Sequence, residues 1–275
     1  MYEILSKTKL NNDVEEMVIR APYVARRCEP GQFIILRVDD EGERIPLTIA
    51  EYDSQKGTVS IIYQVVGFTT RKLSEKKAGE FIADFVGPLG KPTRLHAHKR
   101  VIGIGGGVGA APLYPQLRKL SEMGTEVDLI LGARNKDLII LEEKFRTFCK
   151  NIYITTDDGS YGMKGLVTDK LKELVEGGNQ YDEVIAIGPL VMMKFVSLLT
   201  KKYNLKTSVS LNPIMIDGTG MCGGCRVTIA GETKFACVDG PDFDGHQIDY
   251  DELLRRQGMY KTEENHACRI GLGKV

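Results

Sequence analysis

The chain has 275 residues, with 37 Lys and Arg against 37 Asp and Glu, and so a formal net charge of zero. That balance excludes nonspecific nucleic-acid binding and polybasic membrane anchoring as main functions, while 42% hydrophobic and 27% charged residues suit a folded chain with a sizeable core. The first residues, MYEILSKTKLNNDVEE, hold no apolar signal core, and the apolar stretch Val101 to Gln116 is broken by glycines and by Pro112 and Pro115, so the expectation is a cytoplasmic chain that spans no membrane.

Three regions follow one another. Residues 1–97 read as β: Glu15–Ala21, Gln32–Val38 and Thr58–Val66 are short β-branched runs separated by turn signals such as Pro30-Gly31, which suits a small barrel. Only Thr69–Ala78 looks helical there. In residues 98–210 the apolar runs Val101–Ile104, Val127–Leu131, Ile152–Thr155 and Val184–Ile187 alternate with helical stretches at Leu113–Met123, Leu141–Cys149, Val167–Val175 and Lys194–Tyr203. Strands buried on both sides that alternate with helices predict βαβ units and a parallel sheet. Residues 211–275 lose this rhythm and hold four of the six cysteines, Cys222, Cys225, Cys237 and Cys268, which points to a small C-terminal module.

The turn after the first strand of the second region carries Gly105, Gly107 and Ala110 in the pattern G-x-G-x-x-A, with Gly106, Gly109 and Pro112 beside them. Glycine lets the backbone approach a ligand, and the free N–H groups of the following helix suit phosphate oxygens. The bare pattern also fits a plain tight turn; its place between strand and helix favours a dinucleotide or flavin phosphate. Further strand ends carry Arg134 and Lys136, then Asp157 and Asp158, then Gly188-Pro189. An acidic partner suits a ribose hydroxyl and a basic one a 2′-phosphate, so NAD and NADP both remain open.

Asp217, Cys222, Cys225 and Cys237 follow the spacing D-x4-C-x2-C-x11-C. This is the plant-type [2Fe–2S] order with a carboxylate where the first thiolate stands. A zinc site built from the three cysteines with Asp217 or His246 is the alternative. Cys28, Cys149 and Cys268 lack partners at ligand spacing and read as core or surface thiols. A nicotinamide delivers two electrons together and an iron–sulfur cluster takes one, so a chain that holds both needs a flavin between them. The β region is the place for it.

Arg44-Ile-Pro-Leu-Thr48, Gly67-Phe-Thr-Thr70, Gly87-Pro-Leu-Gly90, the glycine-rich turn, Thr156-Asp-Asp-Gly-Ser160 and Gly188-Pro189 together resemble the ferredoxin–NADP reductase superfamily. Their order with the cysteine loop is similar to the electron-transfer subunits of dihydroorotate dehydrogenase. It is closer still to the small subunits of NADH-dependent ferredoxin:NADP+ oxidoreductases, also called sulfide dehydrogenases, where Asp217 is the most specific element. The resemblance implies a FAD-binding β-barrel, an NAD-binding α/β domain and a [2Fe–2S] module, hence a flavin-dependent NAD(P)H oxidoreductase subunit. It implies a heterodimer with a larger flavin and [4Fe–4S] subunit, electron bifurcation there, and exchange with ferredoxin through the complex. By position, Pro46, Leu47 and Thr48 would line the isoalloxazine, Gly67, Thr69 and Thr70 would hold the FAD pyrophosphate, and Arg44 sits one place from the superfamily's phosphate-binding arginine. A dihydroorotate dehydrogenase subunit is the rival within the superfamily, with a fourth cysteine where Asp217 stands. A non-enzymatic zinc-stabilised nucleotide sensor is the rival from a different class, and a self-contained NAD(P)H reductase without a large partner is the third.

Overall fold

The computed structural model describes residues 1–260, 262 and 266. Its first part contains β1 (Tyr2–Lys9), β2 (Val14–Arg20), α1 (Pro22–Ala25), β3 (Phe33–Arg37), β4 (Arg44–Asp53), β5 (Thr58–Gln64), α2 (Phe68–Glu75), β6 (Phe81–Ile82) and β7 (Asp84–Leu89). The strands form one antiparallel sheet in the order β6-β1-β2-β5-β4-β3-β7. Ile82 and Asp84 are two residues apart yet lie on opposite edges, so the sheet must curl to bring its edges together. Inside the curl sit Ile4, Met17, Ile34, Leu36, Ile61 and Phe85, all essentially without solvent contact. Ile34 and Leu36 of β3 stand at alternate positions, as side chains on one face of a strand do. The expected strands and α2 appear within two or three residues of their predicted bounds. β4 was not anticipated, because Pro46 breaks its pattern.

The second part contains β8 (Arg100–Gly106), α3 (Ala110–Glu122), β9 (Glu126–Ala133), α4 (Glu142–Arg146), β10 (Asn151–Thr156), β11 (Met163–Lys164), α5 (Val167–Glu176), β12 (Glu183–Ile187), α6 (Leu190–Lys202) and β13 (Thr207–Ser210). Its sheet runs β11-β10-β9-β8-β12-β13, all parallel. After β8 the chain adds strands on one side and later, from β12, on the other. The crevice beyond the carboxyl ends of β8 and β12 is therefore the topological switch point where such sheets take ligands. The helix expected over Leu141–Cys149 shortens to α4, five residues long.

The last part contains β14 (Arg226–Ile229), β15 (Glu232–Phe235), α7 (Ala236–Asp239), β16 (Asp242–Asp244) and α8 (Tyr250–Gln257). β14 and β15 form a hairpin of their own, but β16 joins the second sheet antiparallel to β13, so that sheet is mixed rather than purely parallel. Val227, Ile229, Tyr250 and Leu253 share one core with Ile102 and Met193. The C-terminal residues are thus welded to the second part by a strand and a packed helix. Cys268 lies outside the described residues.

At the amino end of the second sheet, Asp128 is fully buried. Arg100 Nη2 lies 2.6 Å from its carboxylate, the Tyr181 hydroxyl 2.9 Å and Asn151 Nδ2 2.9 Å. Removing the cation leaves a buried anion with neutral donors only. Arg100→Ala is expected to lower stability by about 3 kcal/mol, the usual loss when one partner of a buried pair is deleted. Denaturant unfolding of the cofactor-loaded protein checks this, and a loss below about 1 kcal/mol, the value of an exposed pair, would contradict it.

Candidate functional site

One cleft of about 850 Å³, within the range of small-molecule sites, opens at the switch point. Its floor is the glycine-rich turn. Gly107 has φ +54, a left-handed conformation that favours glycine, and a Cβ placed there would meet nothing within 4 Å, so the backbone stands open to the cleft. Gly109 is held by the opposite requirement: a Cβ there would lie 2.3 Å from the Ile187 carbonyl oxygen. The start of α3 is pressed against the end of β12 and only glycine fits. Gly106, Gly107, Gly109, Pro112, Gly188 and Pro189 all line the cleft. Gly105 does not; it packs between Leu131 and the first turn of α3.

The other walls come from the rest of the chain. β4 supplies Pro46, Leu47 and Thr48, and β5 adds Tyr63 and Gln64. Arg134 and Asp157, at the ends of β9 and β10, line the far side. Their neighbours are engaged elsewhere: Lys136 Nζ lies 5.4 Å from the centre of the Tyr161 ring, and Asp158 accepts the Ser160 N–H at 2.9 Å. The C-terminal part closes the cleft with Asn212, Pro213, Met215 and Pro241. Sequence reasoning missed these closing residues and the β5 pair, since none belongs to a spaced motif.

Four residues expected at the flavin lie off the cleft wall: Arg44, Gly67, Thr69 and Thr70. The Thr70 hydroxyl accepts the N–H groups of Gly67 and Val66 at 3.0 and 3.1 Å, which caps α2. Thr69, buried, donates its hydroxyl to Glu43 at 3.0 Å. Both side chains thus serve local structure, which leaves backbone N–H groups at the start of α2 as the donors for an anion. Arg44 is exposed, and its charge helps a little to keep the Asp217 carboxylate ionised.

The cysteine loop is pressed onto the barrel: a Cβ on Gly218 would lie 2.8 Å from Ile35 and 2.9 Å from Leu89. Cys225 and Cys237, both buried, bring their sulfurs to 3.0 Å. Burial, with Cys225 alongside, pushes the Cys237 thiol up. Cys222 is exposed, and its sulfur accepts the Gly224 N–H at 3.5 Å. That N–H, with those of Asp217 and Ile216, holds the Cys222 thiol below its usual range. Asp217 accepts the N–H of Thr219 at 3.1 Å and its hydroxyl, and these bonds, with the charge of Arg44 adding, keep the carboxylate ionised. Three sulfurs, one carboxylate and backbone N–H groups aimed at two of the sulfurs suit an iron–sulfur cluster. His246 is placed elsewhere: its ring nitrogen pairs with the Thr200 hydroxyl at 2.9 Å. Among the described residues no three His, Cys, Asp or Glu side chains converge on one ion. Burial pushes Cys28 and Cys149 up to about 12, as for inert core thiols.

The chain matches the family model of the iron–sulfur cluster binding domain of dihydroorotate dehydrogenase B over residues 212–249, and that of the oxidoreductase NAD-binding domain over 104–198. It is 46% identical to the dihydroorotate dehydrogenase B electron transfer subunit homolog of Thermotoga maritima, over 96% of this chain and 93% of that protein. The solved structure of an NADH-dependent reduced ferredoxin–NADP oxidoreductase, studied for flavin-based electron bifurcation, superposes with a TM-score of 0.93 at 44% identity, covering 99% of this chain and 98% of that one. A ferredoxin–NADP+ reductase from Neisseria gonorrhoeae, solved with FAD and NADP, shares the fold at 16% identity and a TM-score of 0.60, over 74% of this chain and 90% of that one. The chain is an oxidoreductase subunit that belongs to the dihydroorotate dehydrogenase B electron-transfer-subunit family, within the ferredoxin–NADP reductase superfamily.

Proposed function

We propose that this chain is the NAD(H)-linked electron-transfer subunit of a cytoplasmic NADH-dependent reduced ferredoxin–NADP oxidoreductase, in a heterodimer with a larger flavin and [4Fe–4S] subunit that carries the bifurcating step. The observation that carries this reading is the end-to-end superposition on the structure of such an enzyme, at a TM-score of 0.93. Asp217 adds to it, because the dihydroorotate dehydrogenase pattern places a cysteine there. Among the described residues no helix is long and apolar enough to cross a membrane. FAD and the [2Fe–2S] cluster supply the conversion between a hydride and single electrons. The chain's own residues bind and orient. Pro46, Leu47 and Thr48 form an apolar shelf for the flavin ring, and Gly106 to Gly109 with the first turn of α3 hold a dinucleotide pyrophosphate. Gly188 and Pro189 lie beside the nicotinamide, and glycine is needed at 188 for close packing, since a Cβ there would lie 2.8 Å from the Met192 methyl and 3.0 Å from the Gly106 Cα. Hydride transfer needs distance and stacking rather than a general base. Asp217, Cys222, Cys225 and Cys237 hold the cluster.

The native complex tests the assignment. Reduction of NADP+ is expected to require NADH and reduced ferredoxin together, and mass spectrometry of the intact complex to show a second, larger subunit. A complex whose flavin is instead reduced by dihydroorotate would transfer the chain to the rival activity. Cys225→Ala is expected to lose the cluster while FAD, bound on the barrel, is retained; an unchanged [2Fe–2S] signal by electron paramagnetic resonance would remove Cys225 from the ligand set. Asp217→Cys is expected to keep a cluster at a shifted potential. Asp157 disfavours a 2′-phosphate through like charge, so Asp157→Ser is expected to shift the kcat/KM ratio toward NADP(H) by roughly fivefold, the ~1 kcal/mol scale of an exposed charge contact. Steady-state kinetics with both nucleotides checks it, and an unchanged ratio would place the 2′ position elsewhere.

A further inference from the structure

Just behind the cleft wall lies a carboxyl group that hydride and electron transfer leave unused. Pro241 and Ser210 both line the cleft. Asp242 follows Pro241 and pairs with Ser210 in the β13–β16 ladder. Part of the residue reaches solvent, but Oδ1 is sealed from it and has no hydrogen-bond partner among the described residues. Oδ2 is bonded by the Thr93 hydroxyl, from the segment that joins the two sheets, and by Gln116 Nε2 of α3 at 3.5 Å. Gly31, on the barrel side, presents only backbone: a Cβ there would lie 3.1 Å from Oδ2. Thr93, Gln116, Ser210 and Gly31 are all neutral. The charges around them bring no compensation. Glu183 on β12 is an anion, shared between His98 and Lys206 at 3.1 Å each, and Lys91 lies 3.7 Å from Asp239.

An anion walled by neutral groups, with one oxygen idle, is disfavoured against its neutral acid. Burial pushes the Asp242 carboxyl up from 3.8 to about 6; the Thr93 hydroxyl opposes the rise and Glu183 adds to it. Because the folded value lies above the unfolded one, the protonated form stabilises the fold at pH below about 4, and this contribution is lost as pH rises through about 6.

We propose that Asp242 is a proton-binding site linked to the redox state of the cleft. The inference rests on the reading above that the flavin ring lies on the Pro46–Thr48 shelf of the cleft that Ser210 and Pro241 also line. Negative charge arriving beside the wall raises the proton affinity of the carboxyl across a poorly screened gap. One proton from solvent then forms an O–H bond on Asp242 for an electron delivered from NAD(H), and that bond breaks, returning the proton to solvent, when the electron leaves. The site compensates charge; it donates nothing to the substrate.

Infrared difference spectroscopy of the cofactor-loaded protein around pH 6 tests this. Reduction is expected to raise a carboxylic-acid C=O band that disappears on reoxidation and is missing from Asp242→Asn, while the variant keeps its flavin and cluster absorption. The midpoint potentials of Asp242→Asn are expected to vary less with pH than those of the wild type. A wild-type spectrum without the band overturns the proposal whether or not the variant folds, and the same band persisting in Asp242→Asn assigns the proton elsewhere and also overturns it. Absorption separates the two readings: a protein without flavin and cluster bands defeats the proposed function, whereas a coloured protein without the C=O band defeats only the proton site.

Discussion

Helix α3 is the wedge on which the molecule is built. Eight of its thirteen residues are buried, from Ala110 to Leu120. Leu113, Leu117 and Leu120 share one core with Val101, Val127 and Leu129 of the parallel sheet, and the same core takes in Val14, Ala50 and Ile62 from the barrel strands. A helix with apolar contacts on both sides cannot slide without opening two interfaces at once. Its first turn therefore stays fixed relative to both sheets. Gly109 completes the constraint by pressing that turn onto the Ile187 carbonyl. The crevice at the switch point thus has a glycine-lined floor set by one sheet and an apolar shelf set by the other. Lys144 adds an outer clamp, from α4 to Glu16 and Glu51 of the barrel at 3.3 and 2.6 Å.

The third part is attached by different means. β16 extends the parallel sheet by backbone hydrogen bonds, and the cysteine loop leans on the barrel through Gly218. Phe33 and Ile35 of β3 share a small core with Met215, Cys225, Ala236 and Cys237. The sulfur-bearing loop therefore touches the barrel while its supporting strand belongs to the other sheet. A loop anchored on both bodies resists relative motion of either.

Much of this was legible in the residue order. The glycine-rich turn, the alternation of apolar runs with helices and the cysteine spacing are local patterns, each produced by a physical need of backbone or ligand, and each appeared where expected. What escaped were features set by tertiary pairing. β4 hides behind Pro46, whose missing N–H argues against a strand although its ring lines the cleft. β16 is three residues long, with two acidic side chains, and becomes a strand only because β13 offers an edge. Thr69 and Thr70 look like phosphate ligands in a motif, but helix capping and Glu43 claim their hydroxyls first. Asn212, Pro213 and Met215 reach the cleft through the return of the chain, which no spacing rule encodes.

The same distinction separates the charges that matter from those that do not. Of the acidic residues between Asp239 and Glu252, most are exposed or paired, as Asp251 is with Lys194 at 2.6 Å, and these belong to a solvated surface. Asp242 sits in the same run and differs only through its neighbours. β13 on one side, α3 on another and the linker at Thr93 replace water with neutral donors and leave one oxygen with none. An acidic tract cannot announce which member will be buried, because that depends on the register of a short edge strand. Pairing Asp242 rather than Phe243 with Ser210 puts a carboxyl beside the cleft. A one-residue slip of β16 would turn that carboxyl to the opposite face and leave an apolar wall in its place.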